Sequence, residues 1–342
     1  MKKLFTILLL GFGLSTLMAQ NVWKDIANLD GKVFLGVSAN GNIFTSFENR
    51  IYRTSDEGNT WEAVLEASGQ LYGDGFCINA DGRIFILDYD SKIMFFSDDN
   101  GESWLQTTEA PLSYAKLYSP SNNIVVGWSS DRRLFWTVDS DYTWDYTVLS
   151  CVPESFQLED VLVSPDGDVY ICVYYYYDPD EASGIYHSVI SDMENWTLVA
   201  FQGKAIHQME FDSDGNIIAA EFGNPYVFQQ EPGFYLVEGM ANEMAIADND
   251  VIFHLNYRWN IKDDDWCSVF LDYSFDHGEH FSQIGGRVDT IPPTGGGRDG
   301  KLYKGNDNHL YYCSQNPFTQ TKIRKSIRNI NEITKGFAPP GC

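Results

Sequence analysis

The chain has 342 residues, 44% of them hydrophobic, and carries 48 acidic against 23 basic side chains for a formal net charge of −25. That length and apolar content suit either two ordinary domains or one large closed β architecture. The acidic excess repels nucleic acid and anionic membrane surfaces, so no nucleic-acid partner and no membrane insertion are expected.

The first nineteen residues read as a secretory signal peptide. Lys2 and Lys3 give a positive start, Leu4 to Leu17 an apolar stretch, and Ala19 a small residue before Gln20. The stretch is too short and wrongly flanked for a membrane span. Cleavage near Ala19-Gln20 makes a secreted or periplasmic protein, and no Cys follows the cleavage point to take a lipid. Loss of Lys2 and Lys3 leaves 21 basic against 48 acidic residues, a formal charge of −27.

From Val33 onward one pattern recurs: an apolar run, a tight turn, a second apolar run. It is sharpest around Asn40-Gly41, Asp81-Gly82, Asp166-Gly167 and Asp214-Gly215. Weaker copies lie at Asn122-Asn123, Asn249-Asp250 and Asp299-Gly300. Asn-Gly and Asp-Gly between apolar runs mark hairpins, because these residues tolerate the positive φ of the turn. A second phrase follows most hairpins. Its clearest copies are Ser55-Asp56-Glu57-Gly58-Asn59-Thr60-Trp61 and Ser97-Asp98-Asp99-Asn100-Gly101-Glu102-Ser103-Trp104. Looser copies stand at 139–144, 191–196 and 274–281.

The spacing of about 40 residues marks a repeat architecture. Seven hairpins, each followed by a second strand pair, divide the chain into units at 31–66, 70–110, 113–152, 157–202, 205–239, 243–285 and 288–319. Four-stranded units of this length arranged radially make a β-propeller. The expectation is therefore an all-β, seven-bladed propeller of four-stranded antiparallel blades over residues 20–319, with six or eight blades as alternatives. Val22 to Ile26 resembles the strand after a box and is expected as the outer strand of the last blade. Residues 320–342 read as a basic tail, with Lys322, Arg324, Lys325, Arg328 and Lys335 against Glu332 alone, lying on the acidic body. Only Gln320 to Lys335 leaves room for a short helix.

The Asp-containing phrase resembles the Asp-box, or bacterial neuraminidase repeat, found in sialidases, polysaccharide hydrolases, sortilin-type receptors and photosystem assembly factors. The resemblance implies a propeller and leaves the activity open, since one fold hosts many functions. In physical terms the box acids are turn fasteners: Asp and Ser bond nearby backbone groups, and the Trp buries a large face between blades. Asp56, Asp98, Asp139 and Asp276 are read in this way, not as catalytic or metal-binding acids.

Box turns and hairpin turns share one face of such a disc. The other face is built from the loops between second and third strands and from the blade-to-blade crossings. Those loops carry Glu48, Asp88 with Asp90, Trp128 with Asp131 and Arg132, the run Tyr174 to Asp178, Glu221, and Tyr257-Arg258-Trp259. Aromatics, carboxylates and arginines around one mouth suit a polar ligand or sugar. The candidate ligand-binding residues are Trp128, Arg132, Tyr175, Tyr177, Tyr257, Arg258 and Trp259.

Sialidases of the resembling group carry Arg-Ile-Pro at the first blade. Here that strand reads Lys32-Val33-Phe34-Leu35-Gly36-Val37, so a sialidase is disfavoured. Glycoside hydrolysis needs two carboxylates across the mouth, one with a raised pKa, and the candidates are Asp88, Asp90 and Glu221. Gly-x-Ser-x-Gly and His-Glu-x-x-His are both missing from the sequence. No cofactor and no metal site are expected. His277 and His280 are read as surface residues. Six cysteines permit disulfides in an exported chain, although Cys77 and Cys172 sit in apolar runs where a buried thiol serves equally well. The function favoured is an exported, non-catalytic propeller that binds a glycan, peptide or protein partner on its open face. Hydrolysis of an oligo- or polysaccharide is the alternative.

Overall fold

The computed structural model describes residues 23–29, 31–111, 115–151, 153–174, 182–221, 228–238, 244–259, 267–291, 300–314 and 322–335. The first strand, β1, is Trp23–Asp25. Blade 1 holds β2 (Val33–Val37), β3 (Ile43–Phe47), β4 (Arg50–Thr54) and β5 (Glu62–Glu66). Blade 2 holds β6 (Leu71–Ile78), β7 (Ile84–Asp88), β8 (Ile93–Ser97) and β9 (Leu105–Glu109). Blade 3 holds β10 (Lys116–Ser121), β11 (Ile124–Ser129), β12 (Arg133–Thr137) and β13 (Asp145–Val148). Blade 4 holds β14 (Gln157–Val163), β15 (Asp168–Tyr174), β16 (Gly184–Val189) and β17 (Asp192–Ala200). Blade 5 holds β18 (Ile206–Phe211), β19 (Ile217–Glu221), β20 (Phe228–Glu231) and β21 (Phe234–Glu238). Blade 6 holds β22 (Met244–Ile246), β23 (Ile252–Trp259), β24 (Cys267–Ser274) and β25 (Ser282–Ile291). Blade 7 combines β26 (Gly300–Lys304), β27 (Leu310–Ser314) and β28 (Lys322–Ser326) with β1. The chain is a seven-bladed propeller of four-stranded blades, as its repeats implied.

The second strand of each blade explains the apolar runs in the sequence. Ile84–Asp88 and Leu310–Ser314 are buried at every position. Successive side chains on a strand point to opposite faces, and here both faces are covered by neighbouring blades. Ile84 and Ile86 pack with Phe44 and Ile51 of blade 1. Phe85 and Leu87 pack with Val125 and Phe135 of blade 3. In the same way Tyr311 joins Phe34 and Ile43 of blade 1, while Tyr312 joins Phe253 and Leu271 of blade 6. The core is thus a ring of clusters, one at each blade junction. A strand buried on both faces loses its period-two alternation. The outer strands, such as Leu105–Glu109, are mostly exposed.

The ring closes through both chain ends. β1 pairs antiparallel with β28, Trp23 opposite Ser326, as the outer strand of the last blade. The ring therefore runs past residue 319 into the segment read as a tail. Ile323 is buried in the junction with blade 1, and Tyr312 lies opposite Arg324. The short helix α1 (Ile330–Lys335) follows and buries Ile330 and Ile333 against blades 6 and 7. The basic residues here do face acids of the body: Arg324 to Asp25 at 2.7 Å, Lys325 to Asp307 at 2.7 Å and Lys322 to Asp289 at 3.7 Å.

Blade 5 departs from the plain up-and-down order. Its strands run β18-β19-β21-β20, so β21 lies beside β19 in parallel, Ile217 opposite Phe234. The tight turn at Pro232-Gly233, with Gly233 at φ 82°, returns β21 along β20, and the hairpin docks by its later strand.

The box turns are built as their chemistry requires. In blade 1, Asp56 accepts the Thr60 N–H at 2.8 Å, the Thr60 hydroxyl at 2.7 Å and the Thr54 hydroxyl at 2.7 Å. Thr54 Oγ1 in turn accepts the Gly58 N–H. Blade 6 repeats this with Ser274, Asp276, Gly278 and His280, and blade 3 uses Asp139 on Thr143 N–H. In blade 2 the fastener is Asp99, not Asp98. Asp99 accepts Ser103 N–H, Ser103 Oγ and Ser97 Oγ, whereas Asp98 pairs with Arg83. The 191–196 copy is no box: β16 turns directly into β17, with Val189 opposite Asp192. The box turns lean on the preceding blade, Gly58 on Ala27 and Gly101 on Phe44, and His277 stacks on Tyr235 with centroids 4.4 Å apart.

Cys77, Cys151 and Cys172 are free thiols. Burial pushes Cys77 up to about 12 and Cys151 up to about 11, so both behave as small apolar groups. The side chains of Cys267 and Cys342 lie outside the described residues, as does the whole of 1–22. Among the described residues no helix is long and apolar enough to cross a membrane.

Candidate functional site on the loop face

The strands run so that the β2–β3 type turns and the boxes lie on one face, and the loops after β3, β7 and β11 lie on the other with the blade crossings. Blade 2 contributes the best-defined loop. Asp88 ends β7 fully buried and binds four donors: Ser68 Oγ at 2.9 Å, Gly69 N–H at 3.0 Å, Asp90 N–H at 2.9 Å and Ser91 N–H at 3.1 Å. Burial pushes its carboxyl up, but these hydrogen bonds outweigh it and hold the group below its usual value. Asp88 ties the blade crossing to the loop. It is ill suited to donate a proton.

Asp90 is exposed and accepts the Gln70 N–H at 3.1 Å. Glu221, at the end of β19, accepts the Ala205 N–H at 3.1 Å and lies 3.3 Å from Lys204 Nζ. The three acids thus sit on different tasks: Asp88 and Asp90 share one loop, and Glu221 fastens the entry to blade 5.

Trp128 was a candidate for ligand contact, but its ring is core. It is 4% exposed, packed with Leu158, Val161 and Ile171 at the junction of blades 3 and 4. Its Nε1–H donates to Glu159 O at 3.4 Å. The physical reason is register: Trp128 lies within β11, one residue short of the strand's end, and pairs with Leu134. Arg132 stands in the loop at φ 70° and donates from Nη1 to Leu149 O at 3.0 Å. Asp131 is bound to Ser129 and Arg133, whose guanidinium lowers its pKa. Tyr175 and Tyr177 lie outside the described residues, and of Tyr257, Arg258 and Trp259 only the strand is described: they extend β23 opposite Val269, Ser268 and Cys267.

Two features of this face were not singled out by sequence. The first is an exposed aromatic pair, Tyr72 at 42% and Tyr89 at 37% exposure, meeting edge to face with centroids 5.3 Å apart. The signal was the Leu71-Tyr72-Gly73-Asp74-Gly75 stretch, whose glycines accompany a break in the pairing of β6 with β7 between Leu71 and Phe76. The second is a carboxyl pair on the inner strand of blade 4. Asp160 keeps partial solvent exposure yet is crowded by protein, which pushes it up to about 6 against hydrogen bonds from Met209 N–H and Val161 N–H. Burial also raises Glu159, offset by Lys116.

On the box face, Asp276, Glu279 and His280 bring ligand atoms within 4.8 Å of one another. Asp276 and His280 spend those atoms on the turn itself.

No protein-family model matches the chain, and no curated protein matches it. Solved structures do. YCF48 bound to a D1 peptide superposes with a TM-score of 0.57 at 16% identity, over 94% of this chain and 98% of that one. A catalytically inactive virginiamycin B lyase from Staphylococcus aureus gives 0.56 at 9% identity, over 90% and 99%. The GH74 enzyme of Niastella koreensis gives 0.56 at 14% identity, over 88% of this chain and 55% of that one. These likenesses define a propeller fold shared by proteins of unlike function.

Proposed function

We propose that the chain is an exported, non-catalytic propeller that binds a glycan, peptide or protein partner on its loop face. One observation carries the preference for binding over catalysis. A hydrolase of this shape needs a carboxyl whose pKa is raised for proton donation, and Asp88, the candidate acid shielded from solvent, is held low by four donors. Glu221 is engaged by Ala205 and Lys204. YCF48, a propeller of similar fold, is described as bound to a peptide, which is consistent with a ring of this shape serving as a docking platform.

Glycoside hydrolysis is the second reading, and the raised carboxyls of Glu159 and Asp160 favour it. Native mass spectrometry of the purified chain against mixed oligosaccharides and peptides separates the two. Binding gives adducts of intact ligand that are lost in Trp259→Ala or Arg258→Ala. Hydrolysis gives cleaved products that disappear when Asp90, Glu159, Asp160 or Glu221 is neutralised.

A further inference from the structure

Tyr72 and Tyr89 are exposed together on the loop face, with the Tyr72 hydroxyl donating to Gln70 Oε1. An exposed pair of aromatic faces is a site where a cation or an apolar group gains by docking. What surrounds the pair decides between them. Tyr72 follows directly on Gln70 and Leu71, whose N–H groups are held by Asp90 Oδ2 at 3.1 Å and by Glu48 O at 3.3 Å. The rings therefore stand between two loops that each carry an exposed carboxylate, Glu48 from blade 1 and Asp90 from blade 2. The bases next to those loops, Arg50 at the start of β4 and Lys92 just before β8, are both drawn toward the outer strands: Arg50 to Glu66 at 3.0 Å and Lys92 to Glu109 at 3.4 Å. Among the described residues, the charge that these two loops leave exposed is that of Glu48 and Asp90.

We propose that the Tyr72–Tyr89 pair, flanked by Glu48 and Asp90, is a docking site for a lysine or arginine side chain of a partner polypeptide. The inference rests on the binding function proposed above and narrows it to a basic peptide segment at blades 1 and 2. A cation over a tyrosine face is attracted by the ring quadrupole, and a carboxylate on either side adds a charge-assisted partner. The chain's overall charge of −25 steers such a segment toward it without selecting where it lands. The rings supply the selection.

The test is a random heptapeptide library on beads, screened with the purified chain, followed by titration of the retained peptides. Retained peptides are expected to be enriched in Lys and Arg. Their affinity is expected to fall about tenfold or more in Tyr72→Ala and Tyr89→Ala, and to persist in Tyr72→Phe and Tyr89→Phe, which keep the rings. Tyr146→Ala, an exposed tyrosine on the outer strand of blade 3, leaves net charge and affinity unchanged. Retained peptides without basic enrichment, or basic peptides indifferent to both alanine variants, overturn this inference while leaving the binding function intact. If no peptide is retained, the inference falls. If intact oligosaccharide adducts are also missing, the binding function falls with it.

Discussion

Replacing Trp128 with alanine tests directly whether the blade junctions are the source of stability. The indole is 4% exposed among Val126, Leu158, Val161 and Ile171, and Trp128 Nε1–H donates to Glu159 O across the junction of blades 3 and 4. Truncating a buried tryptophan costs about 3–5 kcal/mol through lost transfer energy and the cavity left behind. Loss of the indole hydrogen bond adds on the order of 1 kcal/mol. A folded ring of roughly 300 residues has an unfolding entropy near 0.6 kcal/mol/K, so about 4 kcal/mol lowers Tm by about 6 °C. Differential scanning calorimetry of the wild type and Trp128→Ala measures this, with a partner-binding assay alongside. A fall of less than about 1 °C, or lost binding at unchanged Tm, would show that the ring faces a ligand and that the packing argument is wrong.

Three further outcomes follow from the same geometry. Asp160 has a folded-state pKa raised to about 6, so its contribution to stability is full below about pH 4 and is lost as pH rises through 6. Asp160→Asn should therefore gain roughly 1–3 kcal/mol relative to wild type between pH 4 and pH 7.5 in urea titrations; a pH-independent difference contradicts the burial of that charge. Asp99, held down to about 2 by Ser103 and Ser97, contributes stability above about pH 4 that is lost as pH falls toward 2. At pH 7, Asp99→Ala should cost about 1 kcal/mol and Asp98→Ala less than about 0.5 kcal/mol; equal losses would mean the box is fastened elsewhere. Gly58 sits at φ 86° with a Cβ position that would strike Ala27 O, whereas Gly82 at φ 88° faces open space. Gly58→Ala should cost about 2–4 kcal/mol and Gly82→Ala about 1 kcal/mol, and chemical denaturation that ranks them the other way removes the box-to-blade contact from the account.

The ring was legible because its turns are chemically explicit. Asn40-Gly41, Asp81-Gly82 and Asp214-Gly215 each place a Gly at φ between 82° and 88°, and strands buried on both faces write themselves as unbroken apolar runs. Other features depend on geometry that residue types do not encode. Asp98 and Asp99 are adjacent and identical, and only the bonds to Ser103 separate the fastener from the partner of Arg83. The docking order of the blade 5 hairpin is invisible because either strand offers backbone groups to β19. Strand β28 was hidden by its charge, since Lys322, Arg324 and Lys325 look like a solvated tail until Asp289, Asp25 and Asp307 are placed beside them. On the candidate face, Asp90 and Arg132 stand in the loops where the sequence placed them, but residue type does not give their roles. Trp128 and Asp88 look like site residues by type, and each is committed to the scaffold by its position, Trp128 within β11 and Asp88 at the end of β7. Tyr72 gives no signal in the sequence because an exposed and a buried tyrosine read alike.

The proposed docking of partners on the loop face, with the box face as scaffold, has a direct readout. Hydrogen–deuterium exchange of the chain with and without a saturating ligand from the library screens measures it most directly. Added protection is expected at 48–49, 70–72, 89–92 and 130–132, with the box turns at 55–61 and 97–104 unchanged. Protection confined to the box turns, with those loops unaffected, would contradict it.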